Sequence, residues 1–385
     1  MVCSTWRAIS RSDLLWNRIA RRIWGRTHLR QDTWREEYIY WHRTAANFRS
    51  GRSSHAVLHF DPSDPPGGDP DALVCRCLSL SDTHLACGYA DGAVRLFDLF
   101  THRHVRTFRP LPRNFLGRFS RAVTGIILPS LNGHRHHHPH SRLVFGTLDG
   151  DIHVAAIDGP PTPRLAYEGQ VVNDGALVDF TGCGRWWIGL YAGAPGRSFR
   201  VWDGNTENVL YTEGTLTDLE SRTGWEMLIE LTHVVGRVRV TSQESAMACT
   251  RSRAIAFDPR SGPNQGNVEY EDGLVVTSFD VSDSAYVIVN SSGLARVRRV
   301  GALEDVCSFS VRRGAWQRGL MGCMNRGYAL MCAGGVIRVW EIEVGQFLYR
   351  FAEVIDEVNA LVADERHVVA SSVDGTLHIW DFGAQ

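Results

Sequence analysis

Five histidines crowd into Gly133-His134-Arg135-His136-His137-His138-Pro139-His140-Ser141. Imidazoles at this density can take Zn²⁺ or Ni²⁺. No cysteine or carboxylate is adjacent, however, and the spacing fits no closed four-ligand site. The stretch reads as a solvated loop and no metal is assigned to it. Catalytic signatures are missing too: there is no G-x-x-x-x-G-K-[ST], no G-x-S-x-G and no H-E-x-x-H. The glycines of "GCGRWWIG" (182–189) lack dinucleotide-binding spacing. The expectation is a protein with no catalytic residues and no cofactor.

Binding chemistry is better represented. "PLPRNFLGRFSR" (110–121) carries Arg113, Phe115, Arg118, Phe119 and Arg121, and "VRRGAWQR" (311–318) carries Arg312, Arg313, Trp316 and Arg318. Guanidinium forks beside aromatic plates are the composition of interface hot spots, and they suit an acidic or phosphorylated peptide. A third segment, "DPSDPPGGDPD" (61–71), is acidic and stiffened by proline. A face holding all three is electrostatically divided. The insertion "LTDLESRTGWEMLIELTHVV" (216–235) is long enough to add a helix over it.

The elements that must position these loops repeat. "DGAVRLFD" (91–98), "DGDIHVAA" (149–156), "GRSFRVWD" (196–203), "SRAIAFDP" (252–259), "SGLARVRR" (292–299), "GGVIRVWE" (334–341) and "DGTLHIWD" (374–381) share one grammar. A β-rich run enters a turn, often Asp-Gly or Gly-Gly, and an alternating strand leaves it, which is a hairpin signal. The last units recur at the roughly 40–45-residue period of propeller blades, and the earlier ones carry insertions. The predicted fold is all-β: a seven-bladed propeller preceded by a short α-helical segment. Strand order in the fourth blade is ambiguous. The chain runs out after the third strand of the last blade, so "HAVLHF" (55–60) is expected to supply the fourth.

Two helices are predicted ahead of the ring. Ser12 and Asp13 can start the first, with Leu15, Ile19 and Ile23 on one stripe. Thr33-x-x-Glu36 is a capping box for the second, Trp34, Tyr38, Trp41, Ala45 and Phe48 form its stripe, and Gly51 ends it. The whole chain has a net charge of −1 and a pI near 7.0. Nothing at that level asks for nucleic acid, although residues 1–52 hold 11 arginines against 4 acids. No apolar run approaches the ~18–20 residues of a membrane span and no signal peptide is visible. The reading is a soluble intracellular protein and a monomeric propeller. Nine cysteines are expected to be reduced and structural. Cys75 and Cys77, two apart, are expected to share one face of a strand.

"VCSTWRAISRSDLLWNRI" resembles the C-terminal half of an F-box, with Val2, Cys3, Trp6, Arg7, Asp13, Leu15 and Trp16 on that motif's positions. "TWREEYIYWHRTAANFRSG" resembles the helix that joins F-box to propeller, and "SSVDGTLHIWD" is similar to the WD40 consensus. The chain is thus identified with the F-box/WD40 family, the match being to plant members with degenerate repeats. The Gly-His dipeptide that precedes the first strand of WD40 repeats is missing from every repeat, so their His–Asp–Trp relay is incomplete, with Asp374 and Trp380 keeping two of its members. On this resemblance residues 1–29 are the C-terminal half of an F-box, 30–54 a linker helix and 55–385 the propeller.

The resemblance implies a substrate-recognition subunit of an SCF-type ubiquitin ligase acting in the nucleus, in flower and organ development. It implies a Skp1-like adaptor held through Val2, Trp6, Leu14, Leu15, Trp16 and Ile19. It also implies a protein substrate on the propeller, with PEAPOD-type transcriptional repressors as the targets. A non-ligase scaffold in a nuclear regulatory complex is the other reading. All 41 basic residues are arginine. Genome bias explains that; so would avoidance of ubiquitin, which is joined to lysine amines.

Overall fold

Seven four-stranded antiparallel sheets make up the protein. The computed structural model describes residues 9–26, 28–59, 73–111, 118–128, 142–192, 197–213, 236–241, 245–250, 253–260, 267–269, 276–282, 285–300, 304–311 and 320–383. The innermost strands of blades 1 to 7 are Cys75–Leu80, Val123–Ile127, Ala176–Gly182, Gly236–Val240, Val276–Ser282, Met321–Met324 and Val358–Ala363. Each touches the inner strands on either side of it, and that of blade 7 touches that of blade 1, so the sheets close into a ring. Blade 4 keeps simple sequence order through Ala246–Thr250, Arg253–Phe257 and Asn267–Glu269.

Blade 7 draws its outermost strand from the other end of the domain. Ser54–Leu58 pairs antiparallel with Leu377–Asp381, from Ser54 opposite Asp381 to Leu58 opposite Leu377. Ring closure therefore leaves this blade without a free outer edge of its three C-terminal strands. The core lies between blades. Ile127, Leu177, Phe180, Trp187, Tyr191 and Trp202 fill the wedge between blades 2 and 3. Trp340 stacks on Phe309, with ring centroids 4.3 Å apart, between blades 5 and 6.

Two sequence expectations are corrected here. Cys75 and Cys77 do not share a face: Cys75 pairs with Tyr89 and Cys77 with Gly88, so Arg76 is an extra, bulged residue. The bulge shifts the alternation by one. Cys75 packs toward blade 7, and Cys77 packs toward blade 2. Nor do Asp374 and Trp380 belong to one relay. Asp374 accepts from Ser372 and Thr376 within its own turn, whereas the Trp380 indole donates to Glu353, 2.9 Å away. Among the described residues no histidine bridges them, in keeping with the missing Gly-His dipeptide ahead of this blade's first strand.

The helices α1 (Asp13–Trp24) and α2 (Trp34–Ser50) form a hairpin. Thr33 caps α2 through the Glu36 N–H at 3.2 Å, and Gly51 ends it in the left-handed region at φ 72°. Ser12 occupies the cap position of α1 without a side-chain bond. The Asp13 carboxylate instead accepts from the Trp34 backbone, 2.9 Å away, and ties the two helices together. Glu37 is fully buried, its carboxylate taking the Arg30 and Gln31 N–H groups at 3.0 Å and the Trp41 indole at 2.8 Å. No helix among the described residues is long and apolar enough to cross a membrane.

Candidate functional site

The ring has two unlike faces. The lower face carries the turns that leave each inner strand, including 81–83, 325–327 and 364–366. The helical hairpin docks there. Arg26 is buried, 3.1 Å from Asp82 and 3.6 Å above the Trp41 ring. Arg30 reaches the same carboxylate at 2.7 Å. Burial lowers the Arg26 pKa, and the carboxylates of Glu365, Asp364 and Glu37 oppose that shift. Arg326 donates to the Ile23 carbonyl at 3.1 Å.

Phe48 completes the junction. Its ring stacks on Phe382 at 4.2 Å and on Tyr328 at 4.6 Å, inside the core of blades 6 and 7. Several arginines of the basic N-terminal segment are thus spent on ion pairs with the propeller: Arg26 and Arg30 with Asp82, and Arg49 with Glu341 at 3.3 Å. Along the helical segment Ile9, Leu14, Ile23 and Leu29 are exposed, Leu14 by 63%. Leu15, Trp16 and Ile19 are half-buried; Trp16 packs on Tyr38 at 5.0 Å and donates to the Ser10 carbonyl. Val2 and Trp6 lie outside the described residues.

The upper face carries the turns between the second and third strands and the loops that join successive blades. Two clusters on it share a design. In blade 1 Asp91 accepts from Arg95, fully buried, at 3.0 Å, and from Arg109, nearer the surface, at 3.2 Å. The Arg95 guanidinium lies 4.3 Å from the Tyr89 ring centroid. In blade 3 Asp174 pairs with buried Arg200 at 2.8 Å and with exposed Arg197 at 3.7 Å. Arg200 lies between the rings of Tyr167 and Tyr191, 5.1 and 5.0 Å from their centroids. Burial is the largest influence and opposes the Arg200 charge; the Asp174 bond, together with the charges of Tyr191, Tyr167 and Asp174, outweighs it, and the pKa rises. Burial also pushes the Tyr191 phenol up. Each cluster is a carboxylate that fixes one inner and one outer guanidinium over an aromatic floor, a rigid presentation of positive charge to an acidic partner.

The sequence-predicted loop residues meet this face only in part. Arg121 ends a single 3₁₀ turn, Arg118–Arg121. Its backbone carbonyl would lie 2.8 Å from a Cβ at Gly92, whose φ is +84°, so the turn seats on the Asp91-Gly92 corner. Asp149 donates its N–H to the Ser120 carbonyl at 2.8 Å. The Arg118 and Phe119 side chains, and the whole of Arg113, Phe115, Arg312, Arg313, Trp316 and Arg318, lie outside the described residues. So do the acidic segment, the histidine-rich loop and the 216–235 insertion. Among the described residues no group of histidine, cysteine, aspartate or glutamate is placed to hold a metal.

Arg95 and Arg200 escaped the reading of the sequence, yet a signal for them exists. Two positions before the aligned aromatic site the seven repeats carry Arg95, His153, Arg200, Ile255, Arg296, Arg338 and His378. A cation at a nominally alternating, core-facing position demands a buried partner.

No protein-family model matches the chain. It is 54% identical over 392 residues to the transcriptional regulator STERILE APETALA of Arabidopsis thaliana, an alignment that spans all of this chain and 84% of that protein. Identity at that level over the whole propeller and its helical hairpin places the chain in the family of the transcriptional regulator STERILE APETALA.

Proposed function

We propose that the chain is the substrate-recognition subunit of an SCF-type ubiquitin ligase. On this reading a Skp1-like adaptor sits on the helical hairpin. The upper face of the propeller holds a transcriptional regulator, a repressor of the PEAPOD type. The protein acts in the nucleus, in transcriptional control of flower and organ development, as a relative called a transcriptional regulator suggests. It makes and breaks no bonds; it supplies proximity and orientation to a distant ligase centre.

The observation that carries the proposal is the placement of the hairpin. Buried Arg26 and Phe48 fix it to the lower face, while Leu14 and Ile23 remain exposed. Apolar side chains displayed on a rigid support suit a second protein. The Arg109 and Arg197 clusters lie on the opposite face, which leaves room for a client there. The absence of lysine agrees with residence beside a ubiquitin-transfer centre.

The test is co-purification with a Skp1-like adaptor. Wild type forms a 1:1 complex and Leu14→Asp does not, although both melt alike. Failure of the wild type to bind, with client binding intact, replaces the ligase reading by that of a nuclear scaffold.

A further inference from the structure

The helical hairpin carries cations that its docking does not use. Arg26 and Arg30 share Asp82, and Arg49 meets Glu341. Arg11, Arg18, Arg21, Arg22, Arg35 and Arg43 are exposed instead, and among the described residues none of the six has a side-chain hydrogen bond or an ion pair. The acids of the segment do not balance them. Asp13 is held by the Trp34 N–H, and Glu37 is buried beneath two N–H groups and the Trp41 indole. Beyond Asp13, α1 has no acidic residue at all: Leu14 to Trp24 reads LLWNRIARRIW.

Three of the six arginines share one face of α1. Arg18, Arg21 and Arg22 are spaced i, i+3 and i+4, and Leu14 lies one turn ahead of Arg18. Ala20, two residues from both Arg18 and Arg22, is on the opposite side of the helix and is buried. The arginine face is therefore the outward one. The helix gains little from it, because like charges at these spacings repel. The helix dipole favours a cation in the last turn, which accounts for Arg21 and Arg22 but not for Arg18. Net charge does not explain the stripe either: the whole chain stands at −1, so positive charge is concentrated here rather than spread.

The composition of the face selects its partner. A protein interface surrounds an apolar core with a polar rim. Here Leu14 stands at one end, followed by three guanidiniums. Each guanidinium can hold a phosphate with two parallel hydrogen bonds. Arg18 and Arg22 are about 6 Å apart along the helix axis, and a nucleic-acid duplex carries a negative charge about every 1.7 Å of its own. Such a row of phosphates can satisfy the three cations together, and strong positive charge is what separates interfaces with nucleic acid from those between proteins.

We propose that the outward face of α1 is a docking surface for the phosphate backbone of duplex DNA, bound without regard to base sequence. Arg18, Arg21 and Arg22 make the contact, and Arg11, Arg35 and Arg43 add to the field. The contact does not depend on the ligase reading. Where both hold, DNA and a Skp1-like adaptor exclude each other, because Leu14 lies on the same face.

Fluorescence anisotropy of a labelled duplex of about 20 base pairs, titrated with the full chain at about 50 to 200 mM NaCl, tests it. Log affinity falls against log salt with a slope of about −3 or steeper, since each neutralised phosphate contributes about −0.9. Arg18→Gln with Arg21→Gln and Arg22→Gln reduces the slope by about 2 to 3 and weakens binding about 10-fold or more. Arg18→Gln alone reduces it by about 1 and carries the test if the triple variant does not fold. Arg103→Gln with Arg260→Gln and Arg350→Gln makes the same change in net charge at exposed positions of the ring and leaves slope and affinity unaltered. The proposal is overturned if the duplex does not bind, or if the ring variant loses as much as the α1 variant. It is also overturned if polyglutamate of matched charge binds the wild type more tightly than the duplex does, a result that gives the face to an acidic protein.

Discussion

The hydroxyl of Tyr349, on the outer strand of blade 6, donates a 2.6 Å hydrogen bond to the carbonyl of Phe48 near the end of α2. The phenol meets a carbonyl that the last turn of the helix leaves short of intrahelical partners. Beside it the Phe48 ring is fully buried against Tyr328 and Phe382, and Gly51 lets the chain turn directly over the Tyr349 ring. The hairpin is therefore part of the propeller core rather than a tethered appendage.

Phe48→Ala should cost about 3–5 kcal/mol, the range for deleting a fully buried phenylalanine. Tyr349→Phe should cost about 0.5–1.5 kcal/mol, a single hydrogen bond. The two sites touch, so their effects will not add. Urea unfolding of the single and double variants measures this. Simple additivity would mean that helix and blade are energetically independent.

The upper-face clusters separate stability from recognition. Asp174→Asn leaves the Arg200 guanidinium buried without its charge partner and should destabilise by about 3–5 kcal/mol. Arg197→Ala removes an exposed side chain and should change stability by less than about 0.5 kcal/mol while weakening client binding. Denaturation midpoints together with client affinity check the pair. A loss of stability in Arg197→Ala equal to that in Asp174→Asn would refute the division of roles.

Acid should weaken ring closure. His378, in blade 7, lies 3.2 Å from His55 of the closing strand. Burial, then the His55 charge, lower its pKa; Asp374 and Glu353 oppose the shift and His59 adds to it. A group with a depressed folded-state pKa binds fewer protons folded than unfolded. Its contribution is complete above the unfolded value of about 6.5 and is lost as pH falls through the folded value. Midpoints should therefore drop below about pH 6.5, and His378→Gln should flatten that slope. An unchanged slope in the variant would exclude the histidine pair as its source.

Deleting residues 54–58 removes the strand opposite Leu377–Asp381. The ring then opens at blade 7, and the single cooperative melt should broaden or split in calorimetry. A sharp melt at the wild-type midpoint would show that closure does not rest on this strand.

Seven blades were legible because each repeat writes its hairpin locally, in an alternating strand on a turn such as Asp91-Gly92 or Asp374-Gly375. The bulges were not, because one extra residue leaves no trace in composition; Arg76 between Cys75 and Cys77 looked like plain alternation. Asp91 and Arg95 lie four residues apart and could have been paired on sight. Asp174 and Arg200 are separated by 26 residues and two strands, and only the folding of blade 3 brings them together. The closing Glu353–Trp380 bond, spanning 27 residues, is of the same kind. In this fold the local hairpins can be read along the chain, while a charge pair such as Asp174–Arg200 is set by how an entry loop folds back onto a later strand of its blade.

The central claim is that adaptor and client occupy opposite faces of one rigid body. Its most direct test is the mass of the assembly formed when chain, Skp1-like adaptor and a PEAPOD-type repressor are mixed at equal concentration. The account predicts a single ternary particle, reduced to the chain–client pair by Leu14→Asp and to the chain–adaptor pair by Arg109→Glu with Arg197→Glu. Mutually exclusive binary complexes, or a client that binds after both arginines are reversed, would contradict it.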